Sequence, residues 1–275
     1  MAIAQVGGAH NSAASAATIA ATYSPTAGNI VIVFVATGGA VTAISVQDNN
    51  GNYLAPGPTG SGTLQVAAGT GQLYAFWGIA SSGATSYTAN WTTSQVSAIT
   101  VEEYSGVLGV YFLTATSGYF NTGTSTTAAL TLHTVDPNDW LVGGVANNST
   151  DAFTSIAATN LRQNSGTGQT IVCALLDSGA VSSVNTNQTV QATVAASVAW
   201  GGLAFILRPF AGAPYNASTN VTGSTASPLA MNAILYGLQL IKNPTPGSGS
   251  VTTSGVVYGN SPVTPIYVPY GQMYP

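Results

Sequence analysis

Few side chains in this sequence can move a proton, attack a carbonyl or hold a metal. Seven carboxylates and three cations are all its charge. They are Asp48, Glu102, Glu103, Asp136, Asp139, Asp151, Asp177, Arg162, Arg208 and Lys242, joined by His10, His133 and the lone Cys173. A Ser-His-Asp relay needs a histidine that reaches both a nucleophile and an acid. His10 lies in a Gly/Ala/Ser/Asn segment, His133 ends the alternating stretch TAALTLHTV, and no serine occupies a Gly-x-Ser-x-Gly elbow; both histidines read as structural. Glycosidic chemistry needs two carboxylates across a cleft, whereas Glu102 and Glu103 are neighbours on an expected strand and leave its opposite faces. They make a poor catalytic pair. One of them pointing inward would need hydrogen-bond partners or a raised pKa, and a strand at a sheet edge or subunit contact, wet on both faces, is the favoured setting.

Asp48, Asn50 and Asn52 alternate like the start of a calcium loop, but Tyr53 and Thr59 stand where an EF-hand needs glycine and glutamate. A hairpin-type turn accounts for them. Asp136 and Asp139 around Pro137-Asn138 read as another turn. No phosphate loop, Cys/His metal spacing or Rossmann fingerprint occurs, so no catalytic, metal or cofactor-binding residue is expected. Asn-x-Ser/Thr sequons such as those at Asn90, Asn148, Asn187, Asn216 and Asn220 are expected to be fortuitous. Among the aromatic residues, Trp77, Trp140 and Trp200 sit in apolar blocks and read as core. Trp91, at a polar strand end (TANWTTS), is the one nominated for contact with a glycan.

A net charge of −4 with three cations excludes a phosphate-neutralising surface, and with it nucleic-acid binding and attraction to anionic lipid. Hydrophobic residues make up 45% of the 275, yet the longest run of larger ones, Ile30 to Val35, falls far short of the roughly 20 needed to span a bilayer. The N-terminus lacks the basic and Leu-rich regions of a secretion signal, and its Met favours synthesis in the cytoplasm. Cys173 has no intrachain disulfide partner and reads as a small buried hydrophobe.

The elements that must position these residues are short apolar blocks rich in Val, Ile, Thr and aromatics, such as Ile30 to Ala36, Gln72 to Ile79, Val96 to Tyr104, Trp140 to Ala146 and Ala199 to Leu207. Between them lie Asn/Ser/Gly/Asp turns. About a dozen strands at this spacing predict an all-β protein: an antiparallel two-sheet sandwich or jelly roll over residues 1–210. Gly28-Asn29-Ile30-Val31-Ile32 repeats weakly as Asn138-Asp139-Trp140-Leu141-Val142, 110 residues on. Two similar strand sets follow, about 20–107 and 108–210, forming either two small sandwiches or jointly one.

Residues 211–275 differ, since nine of the thirteen prolines fall from Pro209 onward. A polar linker comes first. Ser227-Pro228 then caps an expected amphipathic helix over about 228–242, presenting Leu229, Ile234, Tyr236 and Leu240. An extended Pro/Tyr-rich arm follows, with Tyr258, Tyr267, Tyr270 and Tyr274. These eight residues are the expected assembly interface, because Tyr and Pro give contact area at low entropic cost.

Ile44-Ser45-Val46-Gln47-Asp48, Gly51-Asn52-Tyr53, the aromatic strand Leu73 to Ile79, Ser82-Gly83-Ala84-Thr85 and Val101-Glu102-Glu103-Tyr104-Ser105-Gly106-Val107 resemble a recurrent all-β domain of tailed-phage structural proteins. Pro137-Asn138-Asp139-Trp140-Leu141-Val142-Gly143 is similar to its second half. The resemblance covers about residues 20–210. It implies a jelly-roll-like sandwich used as a capsid decoration or tail-associated component, and it transfers no catalytic residue. The reading is a non-enzymatic, homo-oligomeric virion protein that is made in the host cytoplasm and stabilises the capsid surface. Its partners are copies of itself and other virion proteins, with neither nucleic acid nor membrane among them and no cofactor. Two rivals are a glycan-binding tail fibre or adhesin, using Trp91, and a carbohydrate-active enzyme.

Overall fold

Strands carry the whole architecture, and they fall where β-branched and aromatic residues alternate or run together. The structure, a computed structural model, describes residues 2–56, 65–111, 120–134, 138–156, 159–165, 168–181, 186–209, 215–221 and 251–257. No helix occurs among them. The first half contains β1 (Ala4–Thr22), β2 (Ile30–Thr37), β3 (Ser45–Asp48), β4 (Ala55–Pro56), β5 (Gln65–Ala68), β6 (Gly71–Ile79) and β7 (Ser86–Ser105). The second contains β8 (Val107–Tyr111), β9 (Phe120–Thr134), β10 (Trp140–Asn147), β11 (Thr154–Ser155), β12 (Asn160–Asn164), β13 (Val172–Ala180) and β14 (Thr186–Pro209).

Each half forms one antiparallel seven-stranded sheet, and both sheets follow one plan. In the first, the order is β1-β7-β2-β6-β4, with β3 on β7 and β5 on β6. In the second, β9, β14, β10, β13 and β12 succeed one another in the same way, with β8 and β11 also on β14. The 110-residue shift lines up in register: Ile30 faces Tyr104 as Trp140 faces Leu207, and Ile32 faces Glu102 as Val142 faces Phe205. β1 was not expected as a strand, because its run of Ala, Gly and Ser lacks a strand's usual residues. It is held by its pairing with β7 over nearly its full length.

The long ribbons β1–β7 and β9–β14 bend sharply. The register slips around Ala13 to Thr18, Thr92 to Ser94 of β7 are exposed, and the second ribbon slips between Thr193 and Val198. Asn11 Nδ2 donates to the Ala20 carbonyl at 2.7 Å across the first bend, and Asn121 Nδ2 donates to the Ala129 carbonyl at 3.1 Å across the second. The doubled-over portion covers the sheet's outer face: Ile19, Ala21, Val46, Tyr87 and Trp91 pack on Val31, Val33, Val35, Tyr74 and Phe76. The second half encloses an equivalent core around Leu130, Leu141, Val145, Phe153 and Val190.

A third core joins the halves. Along β2 the residues split by period two, with Val31, Val33 and Val35 facing the outer core and Ile30, Ile32, Phe34 and Ala36 facing the other half. A strand buried on both faces reads as the unbroken run IVIVFVA. Phe34 stacks on Phe205 with ring centroids 5.4 Å apart, and β10 meets the Phe34 ring at Gly144, where a Cβ would lie 2.2 Å from Cδ1. Each half therefore has its own apolar layer and shares a further one.

Residues 211–275 form a separate compact unit. Within it, β15 (Tyr215–Val221) and β16 (Val251–Val257) pair as an antiparallel two-stranded ribbon. β15 occupies a stretch expected to be linker. The expected helix over 228–242, with Leu229, Ile234, Tyr236 and Leu240, and the arm residues Tyr258, Tyr267, Tyr270 and Tyr274, lie outside the described residues.

The Phe34–Gly144 contact is testable. Gly144→Ala is expected to lower stability by about 1–3 kcal/mol through overpacking, measured by urea denaturation. Adding Phe34→Leu is expected to recover part of that loss.

Candidate functional site

Eight of the ten charged residues are described, all but Asp136 and Lys242. Asp48, Glu102, Glu103, Asp139 and Asp177 are buried, Asp151, Arg162 and Arg208 are half-buried, and none of the eight is exposed. The charge of these eight residues has been drawn inward, so the groups have been placed by folding rather than left on a solvated face. Most ordinary charged side chains stay at the surface unless they are paired.

Glu102 and Glu103 do not lie at a wet edge, as the sequence had suggested. β7 runs between β1 and β2, and the two side chains are 0% and 1% exposed. They do leave opposite faces of the strand. Glu103 points into the first half's own core, where Oε2 accepts from the Tyr23 hydroxyl at 2.6 Å, and Oε1 accepts from the Thr26 amide at 3.1 Å and from Asn29 Nδ2. Burial, then the hydrogen bond and charge of Glu103, push the Tyr23 phenol above its ordinary value.

Glu102 points the other way, into the seam between the halves. Gln5 Nε2 from β1 donates to one oxygen, and Gln163 Nε2 from β12 of the second half donates to the other at 2.9 Å. Beside it, Arg162 grips Asp177 with Nε on Oδ2 and with Nη2 on Oδ1 at 3.0 Å. Asp177 Oδ1 also accepts from Asn160 Nδ2 at 2.8 Å and from the Gly179 amide at 2.9 Å. The fully buried Tyr104 hydroxyl reaches across the seam to Asp177 Oδ2 at 3.2 Å. His10, exposed at the rim, has Nδ1 3.0 Å from Gln163 Oε1. Gly8 leaves room for the cluster, since a Cβ there would lie 2.2 Å from Glu102 Oε2. Burial raises the Glu102 pKa above its ordinary value, outweighing the hydrogen bonds from Gln5 and Gln163 and the charge of Arg162, while Asp177 adds to the rise.

This cluster is the richest gathering of ionisable groups among the described residues, and its chemistry is that of a tie. Each carboxylate is fully buried, with its oxygens already accepting hydrogen bonds, so a substrate would have to displace the contacts that join the halves.

The remaining candidates are also structural. Asp48 anchors its turn: Oδ1 accepts the Asn50 and Asn52 amides at 2.9 Å each, Oδ2 accepts the Ser81 hydroxyl, and Gly51 takes a φ of 84°. Burial acts to raise its pKa, but the hydrogen bonds from Ser81, Asn52 and Asn50 prevail and hold it below the ordinary value. Asn138 turns with a φ of 66° ahead of β10, and Asp139 Oδ1 lies 3.4 Å from Arg208 Nε. His133, also exposed, has Nδ1 3.2 Å from Asn187 Oδ1. Burial pushes the Cys173 thiol up to about 12, which makes it unreactive. No group of three His, Cys, Asp or Glu among the described residues could hold a metal ion.

Trp91 requires a correction. It is 6% exposed and packed in the first half's outer core, so its ring has no free face for a sugar. The polar neighbours in TANWTTS mark the approach to the ribbon's bend rather than a surface site. Trp140 and Trp200 are buried as expected, and Trp77 is half-buried against the shared core.

Gln5, Gln163 and the Arg162–Asp177 pair were not singled out from sequence. Their spacing carries no motif, because β1, β7, β12 and β13 come together only through the seam. Comparison with family models, with curated proteins and with solved structures finds no match to this chain.

Two outcomes follow from the cluster. Because Glu102 has a raised pKa in the folded state, its contribution is full at acid pH and is lost as pH rises through that value. Glu102→Gln is therefore expected to gain stability relative to the wild type as pH goes from about 4 to about 8; melting curves across this range check it. Arg162→Met, which strips the cation from a buried carboxylate, is expected to cost about 2–3 kcal/mol, below the usual figure for a broken buried pair because Asp177 keeps three other donors. Urea midpoints test that.

Proposed function

We propose that this chain is a non-enzymatic structural protein of a tailed-phage virion, a jelly-roll-like sandwich that decorates and stabilises the capsid surface. The observation that carries the reading is the absence of any exposed charged residue among those described. A freely diffusing protein ordinarily keeps itself apart from its neighbours with surface charge of both signs. Here the outer strands instead present hydroxyls and amides, including close threonine pairs such as Thr42 with Thr92, Thr131 with Thr189 and Thr154 with Thr193, each with Oγ1 atoms 2.7 Å apart. Tyr53 and Ile79 add large apolar side chains 70% and 68% exposed. Such a surface suits lasting contact with similar surfaces, where hydrogen bonding and apolar area matter and charge would need a partner.

The resemblance to tailed-phage domains supports the same reading. Its motifs fall on β3 and the turn after it, on β6, on the end of β7 and on the start of β10. In this proposal the segment 228–242 is a docking helix, and the Pro/Tyr arm lies along neighbouring subunits and other virion proteins. The occupied state of the buried carboxylates supports a non-catalytic role.

Mass spectrometry of purified particles tests the assignment. Hundreds of copies per particle are expected for a capsid-surface component; a few copies would place the chain in the tail, and its absence from particles would overturn the proposal. Deleting residues 243–275, which also removes β16, is expected to leave the melting transition of the sandwich over residues 1–210 intact while reducing incorporation, measured by the ratio of this protein to the major capsid protein.

A further inference from the structure

A chain that carries the same sheet plan twice faces an ambiguity: its first half has much the same face to offer a first half of another copy as a second half of its own. The connection adds to the hazard, because β7 ends at Ser105 and β8 begins at Val107, leaving only Gly106, with a φ of 71°, between them. Short hinges favour exchange of elements between copies.

The seam is not the same at its two ends. Quasi-equivalent positions follow from the registers. Ile32 lies between Glu102 and Trp77, and its counterpart Val142 lies between Phe205 and Asp177. Tyr104 corresponds to Leu207. One end of the seam therefore joins Glu102 and Tyr104 to the second half's Gln163, Arg162 and Asp177. The other carries their counterparts Phe205 and Leu207 in the apolar layer to which Trp77 also packs. A second mismatch lies nearer the middle: Phe34, facing Thr100, corresponds to Gly144, facing Leu203, and these two quasi-equivalent residues touch.

We propose that Glu102, with Tyr104 and Asp177, is the matching element that makes the first half accept only a second half, the Phe34–Gly144 contact being a lesser mismatch. Two first halves would bury Glu102 against Trp77 without the Gln163 amide or the Arg162 charge, and would set one Phe34 ring against another. Two second halves would leave a void where Gly144 faces Gly144. An unpaired buried carboxylate and a void both oppose the wrong partner, which is specificity by exclusion. This role does not depend on the virion reading.

The test uses the full-length chain, unfolded in denaturant and refolded at two protein concentrations roughly tenfold apart, with oligomers counted by native mass spectrometry. The wild type is expected to return to the distribution of protein never unfolded. The triple variant Glu102→Leu, Arg162→Leu, Asp177→Leu, which strips the charge from the polar end, is expected to refold partly into dimers joined through like halves. Their ratio to monomer should rise about tenfold between the two concentrations, because pairing between copies is bimolecular. Recovery of the wild-type distribution by the triple variant would overturn the proposal. Should the triple variant fail to fold, Glu102→Leu alone decides: concentration-dependent dimers support the proposal, and a wild-type distribution overturns it.

Discussion

The apolar layer shared by the two halves, in which Phe34 stacks on Phe205, is the contact on which the rest of this protein depends. Each sheet has one face covered by its own doubled-over ribbon and needs a second cover for the other. The two halves supply that cover to each other. Once they do, every residue of β2 and β10 is buried, and the third core adds hydrophobic stabilisation that neither half could gain alone. The polar cluster at one end of the layer is tolerated because its groups come from both halves: Gln163 completes Glu102, and Tyr104 helps complete Asp177. Buried charge of this kind adds little stability over an apolar replacement, but it penalises arrangements that separate the partners.

Much of this was legible in the residues, and the limits have physical causes. IVIVFVA announced a strand, half-buried or fully buried, and the shift from Asn29-Ile30 to Asp139-Trp140 pointed to a repeated strand set. β1 escaped notice because Ala, Ser and Gly carry little propensity of their own; pairing with β7 makes it a strand. The interior placement of both Glu102 and Glu103 escaped for a related reason. Adjacent carboxylates look amphiphilic on a strand exposed on at least one face, and only the presence of covers on both faces of β7, each supplying donors, makes their burial acceptable. Trp91 misled because the polar residues after it belong to a bend, whereas the ring itself turns back onto the sheet. The turn at Asp48 was legible because its hydrogen bonds close within a few residues, apart from the one from Ser81. The tie at the seam was not, because its contacting members lie as far as 153 residues apart in sequence.

The inward gathering of charge links fold and surface. A chain with so few ionisable groups has spent most of those described on internal ties: Asp48 on a turn, Glu103 on Tyr23 and Asn29, Asp139 on Arg208, Asp177 on Arg162. Among the described residues, what remains outside is a coat of hydroxyl, amide and apolar groups, whose interactions depend little on salt because they involve no net charge.

That coat gives no electrostatic protection against one hazard of β proteins, the adhesion of bare outer strands into fibrils. Lysine commonly guards such strands, yet β1 and β9 contain no charged residue at all. The crook in each ribbon, pinned by Asn11 and Asn121, offers a geometric safeguard instead: a strand that changes direction midway cannot serve as a long straight template. Molecules crowded shoulder to shoulder can thus touch broadly without zipping together.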